Sequence, residues 1–127
     1  MIDTRTTSMA NCLKHLLLVI IVFVMYEMVS LDGIIGLLSP ILFRDTTIYS
    51  DRWNYWRYRS IKRGMTVDEV TQLLGEPLNK TDNEFWPDGP DFIFHYSRSS
   101  CDSHYRERSI GFKNGRVVKK YSEFYVD

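Results

Sequence analysis

An uninterrupted apolar run at residues 16–26, near the start of a 127-residue chain, constrains this sequence more than any other feature. The wider stretch 13–29 reads LKHLLLVIIVFVMYEMV, and its only full charges are Lys14 and Glu27. A bilayer core takes roughly 20 apolar residues, with about 17 as the lower bound. The run reaches that bound if Lys14 and Glu27 carry their charges to the two surfaces. A second apolar patch, residues 34–43, follows Asp32. Gly33, Gly36 and Pro40 break its continuity and predict an interfacial or extended tail instead of one straight helix. The chain therefore divides into an N-terminal tail (1–12), a membrane anchor with an interfacial segment (13–43) and a small domain (44–127).

The competing reading of the leader is a cleaved secretory signal, with Arg5 and Lys14 in its basic region and residues 16–25 as its apolar region. Cleavage favours small residues one and three positions before the cut. Ser30 is preceded at that spacing by Met28, and Ser39 by Leu37, so a retained anchor is expected. Orientation is not decided by charge. Arg5 and Lys14 lie before the run, whereas Arg44, Arg52, Arg57, Arg59, Lys62 and Arg63 lie beyond it. The balance is close near the membrane and points inward only when distant residues are counted.

From Arg44 onward there are 14 Lys+Arg against 13 Asp+Glu, which excludes a strongly basic nucleic-acid binder and an acidic disordered tail. Two cysteines cannot build a disulfide scaffold. Residues 49–63, YSDRWNYWRYRSIKR, interleave aromatics with arginines, and Tyr49, Trp53 and Trp56 fall at helical spacing. The pattern predicts a first helix with a buried aromatic face. A membrane-surface role is the next reading, and nucleic acid is disfavoured by the absence of net positive charge.

Residues 64–77, GMTVDEVTQLLGEP, give the clearest local signal. Thr66 and Glu69 form a capping box, and Met65 and Val70 stand where a hydrophobic staple belongs. Val67, Val70, Leu73 and Leu74 share one face, while Gly75 and Pro77 end the helix, predicted at 67–74. Phe92, Phe94 and Tyr96 alternate with Ile93, His95 and Ser97 as in a strand. After a polar loop at 98–104 comes a second strand at about 105–112. Asn114-Gly115 marks a tight hairpin, and 116–126 supplies the third strand. Residues 78–90 read as a loop. The expected fold class is α+β: an N-terminal transmembrane helix, then a small ααβββ domain with a three-stranded antiparallel sheet.

The pattern Ile61-Lys62-x-Gly64-Met65-Thr66, followed by Glu69-Val70-x-x-Leu73-Leu74-Gly75-x-Pro77, resembles the signature of the SmpA/OmlA (BamE-like) domain family. Gly111-Phe112-x-Asn114-Gly115-x-Val117 is similar to that family's final hairpin. The resemblance covers roughly residues 52–126, and its central block recurs in β-lactamase-inhibitor-like domains of the same shape. It implies a non-enzymatic bacterial envelope module, which in one family member is a lipoprotein accessory to outer-membrane barrel assembly. Lipoprotein processing needs a cysteine just after the leader. Here Cys12 precedes the apolar run and Cys101 lies inside the domain, so a single-pass inner-membrane anchor with a periplasmic domain is expected.

His95, Cys101, Asp102 and His104 form the one cluster with ligand chemistry, and Cys101-x-x-His104 has short metal-ligand spacing. A second clean pair is missing, as are an oxyanion hole and an orienting partner for a cysteine nucleophile. No metal, cofactor or catalytic residue is therefore expected. The candidate interface residues are Trp53, Trp56, Arg57, Arg59 and Met65, with the membrane and an envelope protein as partners and no nucleic acid. The alternative function is an inhibitor or immunity-type module that blocks a toxin or envelope enzyme.

Overall fold

The structure, a computed structural model, describes residues 4–84, 86–101 and 103–126. Helix α1 (Thr4–Leu42) is broken at Gly33, where φ is +68°. The two stretches of α1 on either side of this break are helical, so the patch at 34–43 is a resumed helix to Leu42 and not an extended tail. Pro40 lies inside the resumed helix, and the Gly36 carbonyl that its missing N–H leaves free accepts from Ser39 Oγ at 2.8 Å. A Cβ on Gly36 would overlap the Asp32 Cβ, so the bend needs glycine there as well.

Strand β1 (Thr47–Tyr49) and helices α2 (Tyr55–Ser60) and α3 (Val67–Leu74) follow. Helix α3 has the predicted bounds. Thr66 Oγ1 accepts from the Glu69 N–H, and Glu69 returns a bond to the Thr66 N–H at 2.7 Å. The helix expected over 49–63 is only six residues long. Asn54 caps it, accepting from the Arg57 N–H, whereas Tyr49 belongs to β1.

The remaining strands are β2 (Asn79–Asp82), β3 (Phe92–His95), β4 (Ser97–Ser99), β5 (Tyr105–Lys113) and β6 (Arg116–Tyr125). They form an antiparallel four-stranded sheet in the order β2-β3-β5-β6, with β1 and β4 making a separate two-stranded sheet. The three-stranded expectation is thus corrected. The chain at 78–90 contributes an edge strand whose four residues are all solvent-exposed, a pattern without apolar alternation. The chain from β3 runs through Tyr96 into β4, where it finds β1 as a partner. The hairpin between β5 and β6 turns at Asn114 and Gly115, both with positive φ, as the Asn-Gly signal requires.

Phe92 and Phe94 of β3 and Ile110 and Phe112 of β5 point to the helix side of the sheet. They pack with Val70 and Leu74 of α3 and with Tyr58 of α2. Burial pushes the Tyr58 hydroxyl up to about 12, and it donates to the Tyr121 carbonyl at 2.7 Å. Leu31 of α1 belongs to the same core. Replacing Leu74, which is fully buried, by alanine is expected to cost about 3 kcal/mol. Thr66→Ala should cost about 1 kcal/mol through the lost cap. Urea denaturation in mild detergent measures both, and equal costs would contradict this assignment of core and cap.

Candidate functional site

Among the described residues one helix is long and apolar enough to cross a membrane, Met9–Leu42. Residues 9–26 are exposed along their whole length. From Glu27 onward the helix meets the domain. Glu27 pairs with Arg59 at 2.9 Å and accepts from the Tyr55 hydroxyl at 3.1 Å, and Arg59 also donates to Ser30 Oγ at 2.7 Å. Helix α2 is thereby held against α1 at the point where the continuous apolar stretch ends.

Deeper in the contact, Asp32 pairs with two arginines of β5. Arg108 Nη2 lies 2.6 Å from its Oδ1, and Arg106 Nη1 bonds its Oδ2. Arg106 further donates to Asp45 at 2.8 Å and to Ser39 Oγ at 3.0 Å. The Asp32 and Arg108 side chains are 5% and 3% exposed, so this is an ion pair inside the protein. Desolvation makes such a pair roughly neutral in net stability, but removing one partner strands the other charge. The sequence marks each member of this cluster as unusual but not their pairing. Arg106 and Arg108 occupy the same strand face as Ile110 and Phe112, and Asp32 is the only acidic residue within the apolar second half of the leader. Burial would raise the Asp45 carboxyl, but hydrogen bonds from Thr47 and Arg106 outweigh it and hold Asp45 below the usual range.

The five expected interface residues separate into two groups. Trp56, 61% exposed, and Arg57 face solvent on α2, next to the α1 contact. Trp53 is stacked on Tyr49 at 5.0 Å and packs on the core. Met65 lies against the same core, and its sulfur accepts from the Lys62 N–H. Arg59 is committed to Glu27 and Ser30. A further apolar stripe is exposed beyond the bend: Ile34, Ile35, Leu38, Ile41 and Leu42, at helical spacing. The opposite side of this segment meets the sheet through Ser39 with Arg106 and through Phe43, whose ring lies tilted beside Phe124 with centroids 6.1 Å apart.

Among the described residues no helix lies on the other face of the sheet. There Thr81, His95, Ser109 and Glu107 form a chain of contacts at 3.0, 2.9 and 3.1 Å. Ser109 Oγ donates to Glu107, so His95 Nδ1–H donates to Ser109 and Nε2 accepts from Thr81. This requires neutral His95, and burial lowers its pKa in the same direction. A serine beside a histidine invites comparison with a nucleophile and base. Ser109 is fully buried, however, and the carboxylate bonds the serine and not the histidine, an arrangement suited to bracing a sheet. His104 is elsewhere, 4.8 Å from the Phe43 ring, and Asp102 lies outside the described residues. Cys12 and Cys101 are both exposed free thiols. No group of three or more metal-ligating side chains is assembled among the described residues.

No protein-family model matches the chain, and no curated protein matches it significantly.

Asp32→Ala is expected to destabilise the protein by about 3–5 kcal/mol, because Arg108 is left buried and unpaired. Urea unfolding of the detergent-solubilised chain measures the cost, and one below about 1 kcal/mol would mean that water already compensates the arginines. Glu107 adds a pH effect. Burial raises its carboxyl, Ser109 offsets part of the rise, and Glu123 opposite it adds to the rise. Stability from this group is full below the unfolded carboxylate range and falls as pH rises through the raised folded value. Glu107→Gln should therefore stabilise the protein near neutral pH and flatten that fall in a pH series of melting curves.

Proposed function

We propose that the chain is a non-enzymatic, membrane-anchored cell-envelope protein whose small domain docks a protein partner beside the lipid surface. In this reading the domain is an SmpA/OmlA (BamE-like) module, held by a single span in the bacterial inner membrane with its C-terminal domain in the periplasm. Its role is accessory to envelope or outer-membrane assembly. The observation that carries the membrane part is the way the apolar helix joins the domain, through Glu27 with Arg59 and Asp32 with Arg106 and Arg108.

Length supports a lipid-facing role for the segment after the bend. Met9–Leu42 is 34 residues, about 51 Å of helix against a hydrocarbon core of about 30 Å. Residues 9–26 alone cover about 27 Å. The apolar stripe from Ile34 to Leu42 is then surplus to the span, and it fits the headgroup and acyl boundary with its polar side on the sheet. Trp56 and Arg57 suit the same depth.

Two measurements test this reading. With Trp53→Phe and Trp86→Phe in place, Trp56 is the sole tryptophan, and brominated lipids in nanodiscs should quench it. With Trp53→Phe and Trp56→Phe, the remaining Trp86 should be unaffected. Unquenched Trp56 would remove the interfacial role of α2. For topology, a C-terminal alkaline phosphatase fusion should be active and a C-terminal fluorescent-protein fusion exported without fluorescence. A cytoplasmic C-terminus would overturn the periplasmic placement. An envelope hydrolase or toxin that co-purifies and loses activity on addition of the domain would favour the inhibitor reading over docking.

A further inference from the structure

The helix-free face of the sheet has a groove of about 640 Å³ at the end where β3 passes into β4. We propose that this groove is a binding site for a short, neutral oligosaccharide. Tyr105 and Tyr125 form one wall, their ring centroids 5.6 Å apart. Leu78, Asn79, Arg98 and Ser103 are among the residues that line the rest, and His95 braces the floor through Thr81 and Ser109. The proposal is independent of the membrane reading, since the groove opens on the sheet face opposite the one that contacts α1.

Three features select the ligand class. First, the free polar groups are of mixed character. The Asn79 side-chain amide, the Ser103 hydroxyl, the two tyrosine hydroxyls and the Arg98 guanidinium donate to no other protein group among the described residues. Sugar hydroxyls both donate and accept, and so can satisfy such a mixture, whereas a hydrocarbon ligand would leave it unpaired. Second, two tyrosine rings tilted 47° to each other line the groove, and an aromatic ring with a hydroxyl at its edge suits a pyranose, which has CH-bearing faces and polar groups at its edge. Third, among the described residues the groove is lined by no carboxylate and by a single guanidinium. It is therefore poorly suited to a cation or metal ion, and it lacks the cluster of charges that a phosphate ligand draws on.

A peptide is the other occupant to consider, because β2 is an exposed edge strand beside the groove. That edge carries Lys80 and Asp82, paired at 2.9 Å, and charged edge residues of this kind discourage another strand from pairing. The volume falls within the range of small-molecule sites and accommodates a short chain of sugar rings.

The test uses the full chain in nanodiscs, isotopically labelled for amide NMR, with maltotetraose, chitotetraose and tetraglycine as separate probes. Saturable shifts are expected with at least one sugar, with a dissociation constant of about 1 mM. They should be confined to Asn79, Arg98, Ser103, Tyr105, Tyr125 and their neighbours. Tyr105→Ala and Tyr125→Ala should each weaken binding about tenfold. Arg98→Ala, at an exposed position that leaves folding intact, should weaken it too, and Trp86→Ala, outside the groove, should leave it unchanged. No saturable shift with either sugar would overturn the proposal. So would sugar-induced shifts indifferent to the tyrosine and arginine variants, or the same shifts produced by tetraglycine in place of the sugars.

Discussion

A carboxylate carried on an apolar helix must find water or a cationic partner, and Asp32 finds Arg106 and Arg108 inside the protein. The arrangement of the rest of the chain follows from that meeting. Two arginines on the inward face of β5 would be expensive under a helix of ordinary apolar residues. Asp32 offsets them only if the helix bends away immediately afterwards, which the positive φ of Gly33 allows. The close approach of Asp32 to Gly36 then brings the next turns of α1 onto the sheet, where Ser39 and the Gly36 carbonyl receive Arg106. Buried ion pairs contribute little net stability compared with apolar packing. Their directional hydrogen bonds instead define how helix and sheet are placed, a role that Leu31 and Phe43 alone would perform with less angular definition.

This junction gives the molecule two distinct sides. Helices α2 and α3 and the second part of α1 lie over one face of the sheet, together with the exposed Trp56 and the apolar stripe beyond Gly33. The opposite face carries the polar chain from Thr81 to Glu107 and the tyrosine-walled groove. In the anchored reading the first side meets lipid and the second faces the compartment. A tether of flexible residues between span and domain would permit any orientation. The contacts from Glu27 to Phe43 permit few, and partner capture is made easier by such preorganisation.

Much of this was legible in the sequence where the signals are local. The capping box, the apolar spacing of Val67, Val70, Leu73 and Leu74, and Asn114-Gly115 each act within a few residues, and α3 and the final hairpin lie where they predict. Strands β1, β2 and β4 were not legible. They are three or four residues long, β2 and β4 are polar throughout, and all three exist because a partner strand lies alongside. Tyr49 and Trp53 did have helical spacing, but they stack across the turn between β1 and α2. Among the candidate interface residues, exposure divided Trp56 and Arg57 from the others, and exposure depends on tertiary packing. The Asp32 cluster joins residues more than 70 positions apart, beyond the reach of any local pattern.

The central claim is that anchor helix and domain form one rigid unit through Asp32. The most direct measurement is a pulsed electron–electron distance distribution between spin labels attached at Tyr26→Cys on α1 and Glu123→Cys on β6. It is made in nanodiscs, with Cys12→Ser and Cys101→Ser removing the native thiols. A single narrow distribution is expected, broadening when Asp32→Ala is added. A distribution already broad with Asp32 intact would contradict the account, because the helix would then be a tether and the ion-pair cluster would not set its position.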